Sequence, residues 1–519
     1  MAQEGSLFSS RSRFWAFWIG CVAVTIGVIL HFPMFLMGRF THYRLAGMPM
    51  GNGMLFGMFL IVAGFGATAY GLIPQKTTAV AVEEIQPPED APLTRAHWIQ
   101  IIILAAALVI DIMKAATLGF VIPGMRVEYG LTFAEVARVP FAGLLGTTVG
   151  SFIWGALADL YGRRASILLA AVIFMGTAIC GAMPSFNWNI FMCFLMGLGA
   201  GGMLPVAYAL LAEIMPTRHR GWCLVLVGGI GTLGGYFATS SLSALLQPHY
   251  GWRILWLINM PIALILIFVS PYLQESARFL QSMGRLQEAR QTLARFGISL
   301  NTTQQAPLSN PAIPAPGTLP IHARSLLGVT VSLTLTALCV GFVNFGIMLW
   351  LPGSLMHEGR SVGSASRLLA QSTLLAAPTV LLVVWLYSVW SSKWTLVLSV
   401  GVTTLGLAMI LLRGTLHMFS SPILPVTLLI VGTNGILSSL LPYAAENYPL
   451  RIRGRATGWV AGFSKSGGLM AQMLGMLALV PALDVAAGAV AVPCVLSILM
   501  IIMLGRETHG HDLRELEKA

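Results

Sequence analysis

The chain has 519 residues, 56 % of them hydrophobic and only 9 % charged. A soluble globule carries roughly 25 % charged residues, so a soluble enzyme and a disordered chain are both excluded, and the composition fits an all-α polytopic membrane protein of about fourteen spans of ~20 residues. The net charge of +11, from 30 Lys+Arg against 19 Asp+Glu, suits nucleic acid, anionic lipid or a topology signal until the positions of the charges are known.

Apolar runs predict spans at 14–37, 51–73, 98–121, 133–156, 166–184, 190–212, 222–246, 252–272, 326–351, 366–390, 394–412, 421–442, 455–480 and 482–505. The first run is too long for a signal-peptide core and reads as a retained span. Two breaks are long. Residues 74–97 hold Glu83, Glu84, Pro87, Pro88, Glu89 and Asp90 and read as a polar linker. Residues 273–325 open with a predicted helix, Glu275 to Phe296, and continue as a Ser/Thr/Asn/Gln/Pro stretch at 300–320. The resulting plan is an N-terminal transmembrane hairpin (1–73), the linker, a first six-helix half (98–272), a central loop (273–325), a second six-helix half (326–505) and a tail (506–519).

With the N-terminus placed inside, twenty Lys/Arg fall on the inner side and seven on the outer. This positive-inside bias puts both termini and the central loop in the cytoplasm. Most of the basic excess is thereby spent on topology, and no nucleic-acid partner is implied.

The segment Ala212-Glu213-Ile-Met-Pro216-Thr-Arg218-His-Arg220-Gly221 matches Ala445-Glu446-Asn-Tyr-Pro449-Leu-Arg451-Ile-Arg453-Gly454 at a constant offset. The same offset pairs Gly229 with Gly462, Gly234 with Gly467 and Gly235 with Gly468. Both copies sit at equivalent inner loops, so the two halves are parallel repeats about an axis along the membrane normal. Such halves enclose a midplane site in many secondary transporters.

The segment Gly155-Ala-Leu157-Ala-Asp159-Leu-Tyr-Gly162-Arg163-Arg164 resembles the G-x-L-x-D-x-x-G-R-R loop of the major facilitator superfamily. Gly197-Leu-Gly199-Ala-Gly201-Gly202-Met-Leu-Pro205, with Glu213, Pro216, Arg220 and Gly221, is similar to its metabolite:proton symporter and synaptic-vesicle-protein-like branch. Glu275-Ser276-Ala277-Arg278-Phe279-Leu280 resembles a sugar-porter segment, with Ala277 in place of proline, and Glu507-Thr508 echoes it. The resemblance covers about 98–515 and implies a facilitator fold working by alternating access. Three features depart from the pattern. Cys193 stands where the family often has a coupling arginine, Ser392 beside Lys393 matches Asp159, and the 14–73 hairpin has no counterpart in a twelve-span unit.

Charges at bilayer depth are costly and mark function. Asp111 and Lys114 share one helical face of the first core span, Arg138 enters the next, and Lys465 lies in the eleventh. Asp111 is the candidate proton-coupling group, and Lys114, Arg138 and Lys465 are candidates to hold an anionic substrate; mutual neutralisation of Asp111 and Lys114 is the structural alternative. Tyr208, Tyr236, Asn344, Gln371, Asn434 and Tyr443 are further hydrogen-bonding candidates, each equally suited to helix packing. The loop residues Asp159, Gly162, Arg163 and Arg164, with Glu213, Arg220, Glu446 and Arg453, are expected to form a gating latch at the inner face.

Six cysteines lie in apolar stretches with no C-x-x-C pair, and read as buried hydrophobes. His31, Met34, Met37, His42, Met48, Met50, Met54 and Met58 crowd the hairpin; packing against the bundle or a partner is favoured over Cu(I) binding. No metal or cofactor is expected. There is no nucleotide-binding G-x-x-x-x-G-K-[ST] loop and no catalytic triad pattern, so neither an ATP-driven pump nor an enzyme is indicated. The expectation is a secondary active transporter in a bacterial inner (plasma) membrane, monomeric, moving a small organic anion such as a carboxylate with protons. Efflux, neutral-sugar transport and a non-transporting substrate sensor are the alternatives.

Overall fold

The computed structural model describes residues 10–74, 92–297, 323–416, 421–448, 450–479 and 482–508. Among them every regular element is a helix. Two long helices come first, α1 (Arg11–Ile29) and α2 (Asn52–Leu72). The first repeat contains α3 (Arg95–Tyr129), α4 (Arg138–Tyr161), α5 (Arg163–Thr177), α6 (Phe186–Ile214), α7 (Thr217–Tyr250) and α8 (Asn259–Val269). The second contains α9 (Ala323–Phe342), α10 (Val362–Ala376), α11 (Ser392–Leu416), α12 (Ile423–Asn447), α13 (Leu450–Met476) and α14 (Leu483–Leu504).

Among the described residues, thirteen helical segments are long and apolar enough to cross a membrane. The sequence reading had fourteen. The difference is α13, which has 27 residues but carries Ser464, Lys465, Ser466 and Gln472. It is enclosed by α9, α12 and α4, so protein rather than lipid surrounds its polar stripe.

The repeat read from the sequence reappears as packing. In the first half α3 packs on α7, α4 on α6, and α5 on both α6 and α8; in the second half α9 packs on α13, α10 on α12, and α11 on both α12 and α14. The halves meet through α7 against α10 and, related by the same two-fold, α4 against α13. Missing side chains bring α4 and α6 together: a Cβ on Gly197 would lie 1.9 Å from the Gly143 carbonyl oxygen.

The helix predicted over Glu275 to Phe296 is two helices, Ala277–Ser282 and Leu286–Arg295, because Gly284 adopts φ +75° between them. The Ser/Pro stretch at 300–320, the acidic part of the 74–97 linker and the end of the tail lie outside the described residues.

The two N-terminal helices pack on each other along glycines seven residues apart, Gly20 and Gly27 against Gly57 and Gly64. A Cβ on Gly27 would lie 2.6 Å from the Gly57 carbonyl oxygen, and one on Gly64 2.7 Å from that of Gly20. Seven residues are close to two helical turns, so the glycines form one continuous seam. This pair docks on the first half: Ile61 meets Gly176 on α5, and Trp18 lies 6.3 Å from Phe268 on α8. Of the Met/His cluster, His31, Met34 and Met54 are buried, with His31 hydrogen-bonded to the Gly27 carbonyl, whereas Met37 and His42 are exposed.

The connection between α1 and α2 is held by Glu128, a residue the sequence reading did not single out. Its carboxylate accepts from the Leu45 and Ala46 backbone N–H groups at 2.7 and 3.0 Å, from Trp252 Nε1 at 2.8 Å, and from Arg253 Nη2 at 2.6 Å. Arg253 is fully buried and also donates to the Met183 carbonyl and the Tyr129 hydroxyl. The pair is buried, but its remaining donors and acceptors are matched, which is the condition for a buried ion pair to be tolerated.

Candidate functional site

A cavity lies between the two halves, walled by helices of both. Its walls are Ile112, Ala115, Ala116, Gly119 and Phe120 from α3, Thr232, Leu233 and Tyr236 from α7, and Ile430, Thr433 and Asn434 from α12. The second half adds Asn344, Phe345, Met348 and Leu349. These four are positioned by a π-helical turn, Val343–Ile347, that joins α9 to its continuation Met348–His357. The wider turn frees the Phe345 carbonyl, which accepts from the Gln472 side-chain amide of α13. It also brings the consecutive residues Asn344 and Phe345 to the same wall. Nothing in the apolar periodicity of 326–351 signals that turn.

The intramembrane charges divide. Asp111 and Lys114 are both buried, with Lys114 Nζ 4.0 Å from Asp111 Oδ1. The shared face expected from their spacing is therefore realised, but Lys114 turns from the cavity and sits 3.6 Å over the ring of Phe174 on α5. Lys465 approaches from the second half, 5.1 Å from the Phe345 ring, and interacts electrostatically with Asp111. Asp111 thus lies behind the cavity wall, one helical turn from Ala115, with a lysine from each half.

Arg138 is a correction. It sits in an exposed groove with Phe141, Leu145, Phe191 and Phe194, between α4 and α6. Its register along α4 places it on the stripe that faces Phe191 and Phe194, whereas the cavity is built by α3, α7, α9 and α12. Gln371 is exposed and does not line the cavity either. Tyr236, Asn344 and Asn434 do line it. Tyr208 is buried, its hydroxyl at α7 beside Gly228 and without a hydrogen-bond partner among the described residues. Tyr443 donates instead to the Arg506 carbonyl at 2.5 Å, near the end of the described chain.

The loop cluster assembles around the start of α5. Arg163 pairs with Glu213 at 3.0 Å and with Asp159 at 3.3 Å, and the Asp159 side chain is 75 % exposed. Gly162 takes φ +96°, and a Cβ there would lie 2.4 Å from Glu275 Oε2. Glu275 caps α5, accepting from the Arg163 and Arg164 backbone N–H groups at 2.9 and 3.2 Å. Burial pushes its carboxyl above the usual carboxylate range, and those backbone donors oppose the shift only in part. Glu507 caps α11 in the same way, accepting from the Ser392 N–H at 3.1 Å and its hydroxyl at 2.8 Å. This equivalence corrects the sequence register: Ser392 stands where Arg163 does, and the counterpart of Asp159 is Ser388. Glu446 accepts from Tyr387 at 2.8 Å and Thr508 at 2.6 Å and faces Gly221 across the halves. Arg220 lies in the first turn of α7. The side chain of Arg453 lies outside the described residues.

The ends of the bundle differ. Toward Glu128 and Arg253 the halves touch: Gly119 packs on the Leu349 backbone, and Ser243 bonds Ser366 at 2.7 Å. Toward Arg163, a Cβ on Gly155 of α4, or on Gly458 or Gly462 of α13, would meet nothing within 4 Å.

The niacin transporter NiaP of Acinetobacter baylyi is 26 % identical over 74 % of this chain and 88 % of its own length. The 4-hydroxybenzoate transporter PcaK of Pseudomonas putida is 26 % identical over 81 % of this chain and 95 % of its own. Among solved structures, a partially occluded inward-open form of the xylose transporter XylE from E. coli superposes with a TM-score of 0.65 at 15 % identity, covering 81 % of this chain and all of that one. The family model described as Major Facilitator Superfamily matches residues 104–472. With a repeated six-helix fold, a cavity on the axis between the repeats and a family match over most of its length, the chain belongs to the major facilitator superfamily and is a transporter rather than an enzyme.

Proposed function

We propose that this protein is a proton-coupled carrier of a small aromatic carboxylate, with both termini and the Arg163 end of the bundle in the cytoplasm. The observation that carries the reading is the cavity itself. Phe120, Tyr236 and Phe345 supply ring surfaces, Asn344 and Asn434 supply amides, and Asp111 with Lys465 stands directly behind the wall. That relatives transport niacin and 4-hydroxybenzoate supports a substrate of this kind.

The electrostatics supply a coupling logic. Asp111 is buried with Lys114 on its own helix and Lys465 from the other half. A substrate carboxylate entering beside Phe345 takes Lys465 as its counter-ion. Asp111 then keeps Lys114 alone and gains from binding a proton, so proton and substrate load together. Because Lys465 and Asp111 belong to different halves, the loaded and empty states also differ in how strongly the halves attract, which biases which end opens. The separation of α4 and α13 near Gly155 and Gly458 is the cytoplasm-facing state of that cycle, and the Asp159/Arg163/Glu213 cluster, with Arg220, Glu446 and Arg453, is the part of the latch that closes it.

The test is uptake of labelled 4-hydroxybenzoate and nicotinate into proteoliposomes with an imposed pH gradient. Accumulation should follow the gradient and collapse with a protonophore. Asp111→Asn should lose accumulation yet retain exchange of internal for external substrate. Undiminished accumulation by the mutant would show that Asp111 is not the coupling group.

A further inference from the structure

The polar groups of α12 fall into two kinds. The Thr433, Ser438 and Ser439 hydroxyls donate to the Leu429, Asn434 and Gly435 carbonyls of their own helix, at 2.7, 2.8 and 2.6 Å. Asn434 does neither this nor anything equivalent. It is 2 % exposed, and its Oδ1 and Nδ2 both lack a hydrogen-bond partner among the described residues. Across the cavity the Tyr236 hydroxyl is buried and unpartnered as well. The lining residues include no charged side chain; Asn344, Thr232 and Thr433 are polar as well, but Asn434 and Tyr236 are the lining residues whose buried polar atoms lack partners among the described residues.

A carboxylate offers only acceptors. With its carboxylate held by Lys465, an aromatic acid that has no other donor leaves Asn434 Oδ1 buried and unpartnered. Leaving such a group unpaired lowers binding by about 5- to 150-fold. A ring hydroxyl removes that deficit. We propose that Asn434 is a specificity-determining residue, selecting aromatic carboxylates that also carry a hydrogen-bond donor on the ring over those that do not. The inference rests on the cavity being the aromatic carboxylate site argued above, and it adds the residue that reads the second polar group.

The experiment measures initial uptake of 4-hydroxybenzoate and of benzoate, separately, in proteoliposomes of wild type, Asn434→Leu and Asn434→Ser. Wild type should favour 4-hydroxybenzoate by about tenfold or more. In Asn434→Leu the preference should fall to about one, because a near-isosteric apolar side chain removes the acceptor that only a ring donor satisfies. In Asn434→Ser an intermediate preference is expected. A wild-type preference surviving in Asn434→Leu overturns the assignment. Should Asn434→Leu lose both substrates, Asn434→Ser decides: a reduced preference supports the assignment and a wild-type preference overturns it. Uptake of neither acid by wild type would overturn the proposed function and this inference together, whereas uptake with an unaltered preference in the variants overturns this inference alone.

Discussion

Removing the Glu128 carboxylate should be the most damaging single change outside the central cavity. Glu128 is 3 % exposed at its side chain, its partner Arg253 is fully buried, and their charged atoms lie 2.6 Å apart. Glu128→Ala therefore leaves a guanidinium inside the protein whose hydrogen-bond partners among the described residues are the Met183 and Gly181 carbonyls and the Tyr129 hydroxyl, with no counter-charge. Breaking a buried pair from one side costs about 3–5 kcal/mol. The Leu45 and Ala46 N–H groups lose their acceptor in the same step, so the loop between α1 and α2 should detach from the bundle. The assay is thermal unfolding of purified protein, with hydrogen exchange followed at residues 42–50. Glu128→Ala should lower the midpoint by several degrees and expose the loop amides. The double variant Glu128→Ala/Arg253→Met should be more stable than Glu128→Ala alone, because it removes the stranded charge. A double variant losing the sum of the two single losses would refute the coupling, as would unaltered exchange in the loop.

Gly162→Ala should destabilise by about 1–3 kcal/mol, since it combines a left-handed φ with a Cβ 2.4 Å from Glu275 Oε2; an unshifted unfolding midpoint would count against the capped turn. Gly57→Leu should open the seam between α1 and α2, where its Cβ would meet the Gly27 carbonyl oxygen at 2.7 Å, and limited proteolysis at residues 38–50 should then accelerate. Glu275 links stability to pH. Burial raises its carboxyl in the folded state above the unfolded value of 4.5, so the fold favours the protonated form. That contribution is fully present below 4.5 and is lost as pH rises through the folded value. The midpoint of wild type relative to Glu275→Gln should therefore fall as pH is raised from below 4.5 toward neutrality, and a difference that grows with pH would contradict the burial argument.

The span pattern and the duplication were legible in the sequence because both are one-dimensional. A bilayer demands about twenty apolar residues per crossing, and duplicated inner loops keep the spacing of Glu213 to Gly221 and Glu446 to Gly454. The contact between Asp111 and Lys114 was legible too, since helical periodicity fixes which neighbours three apart can meet. The family followed from the residues around Asp159, where a turn with Gly162 at positive φ and a capping glutamate needs particular side chains.

Tertiary structure alone decided where the other charges went. Arg138 and Lys465 look alike in sequence, each a cation inside an apolar run. Yet the register of α4 turns Arg138 into an outer groove, while α13, wrapped by three helices, keeps Lys465 beside the cavity. Lys114, a candidate for holding the substrate, sits over Phe174, because a fully buried ammonium finds an electron-rich partner there. The π turn that brings Asn344 and Phe345 together, and the Glu128 clamp on the N-terminal pair of helices, join residues far apart in the chain. No local pattern encodes such meetings, since they depend on how the helices are rotated and packed. The sequence by itself determined where the membrane-crossing runs lie, how they repeat and which family they form; the packing decided which polar groups line the cavity.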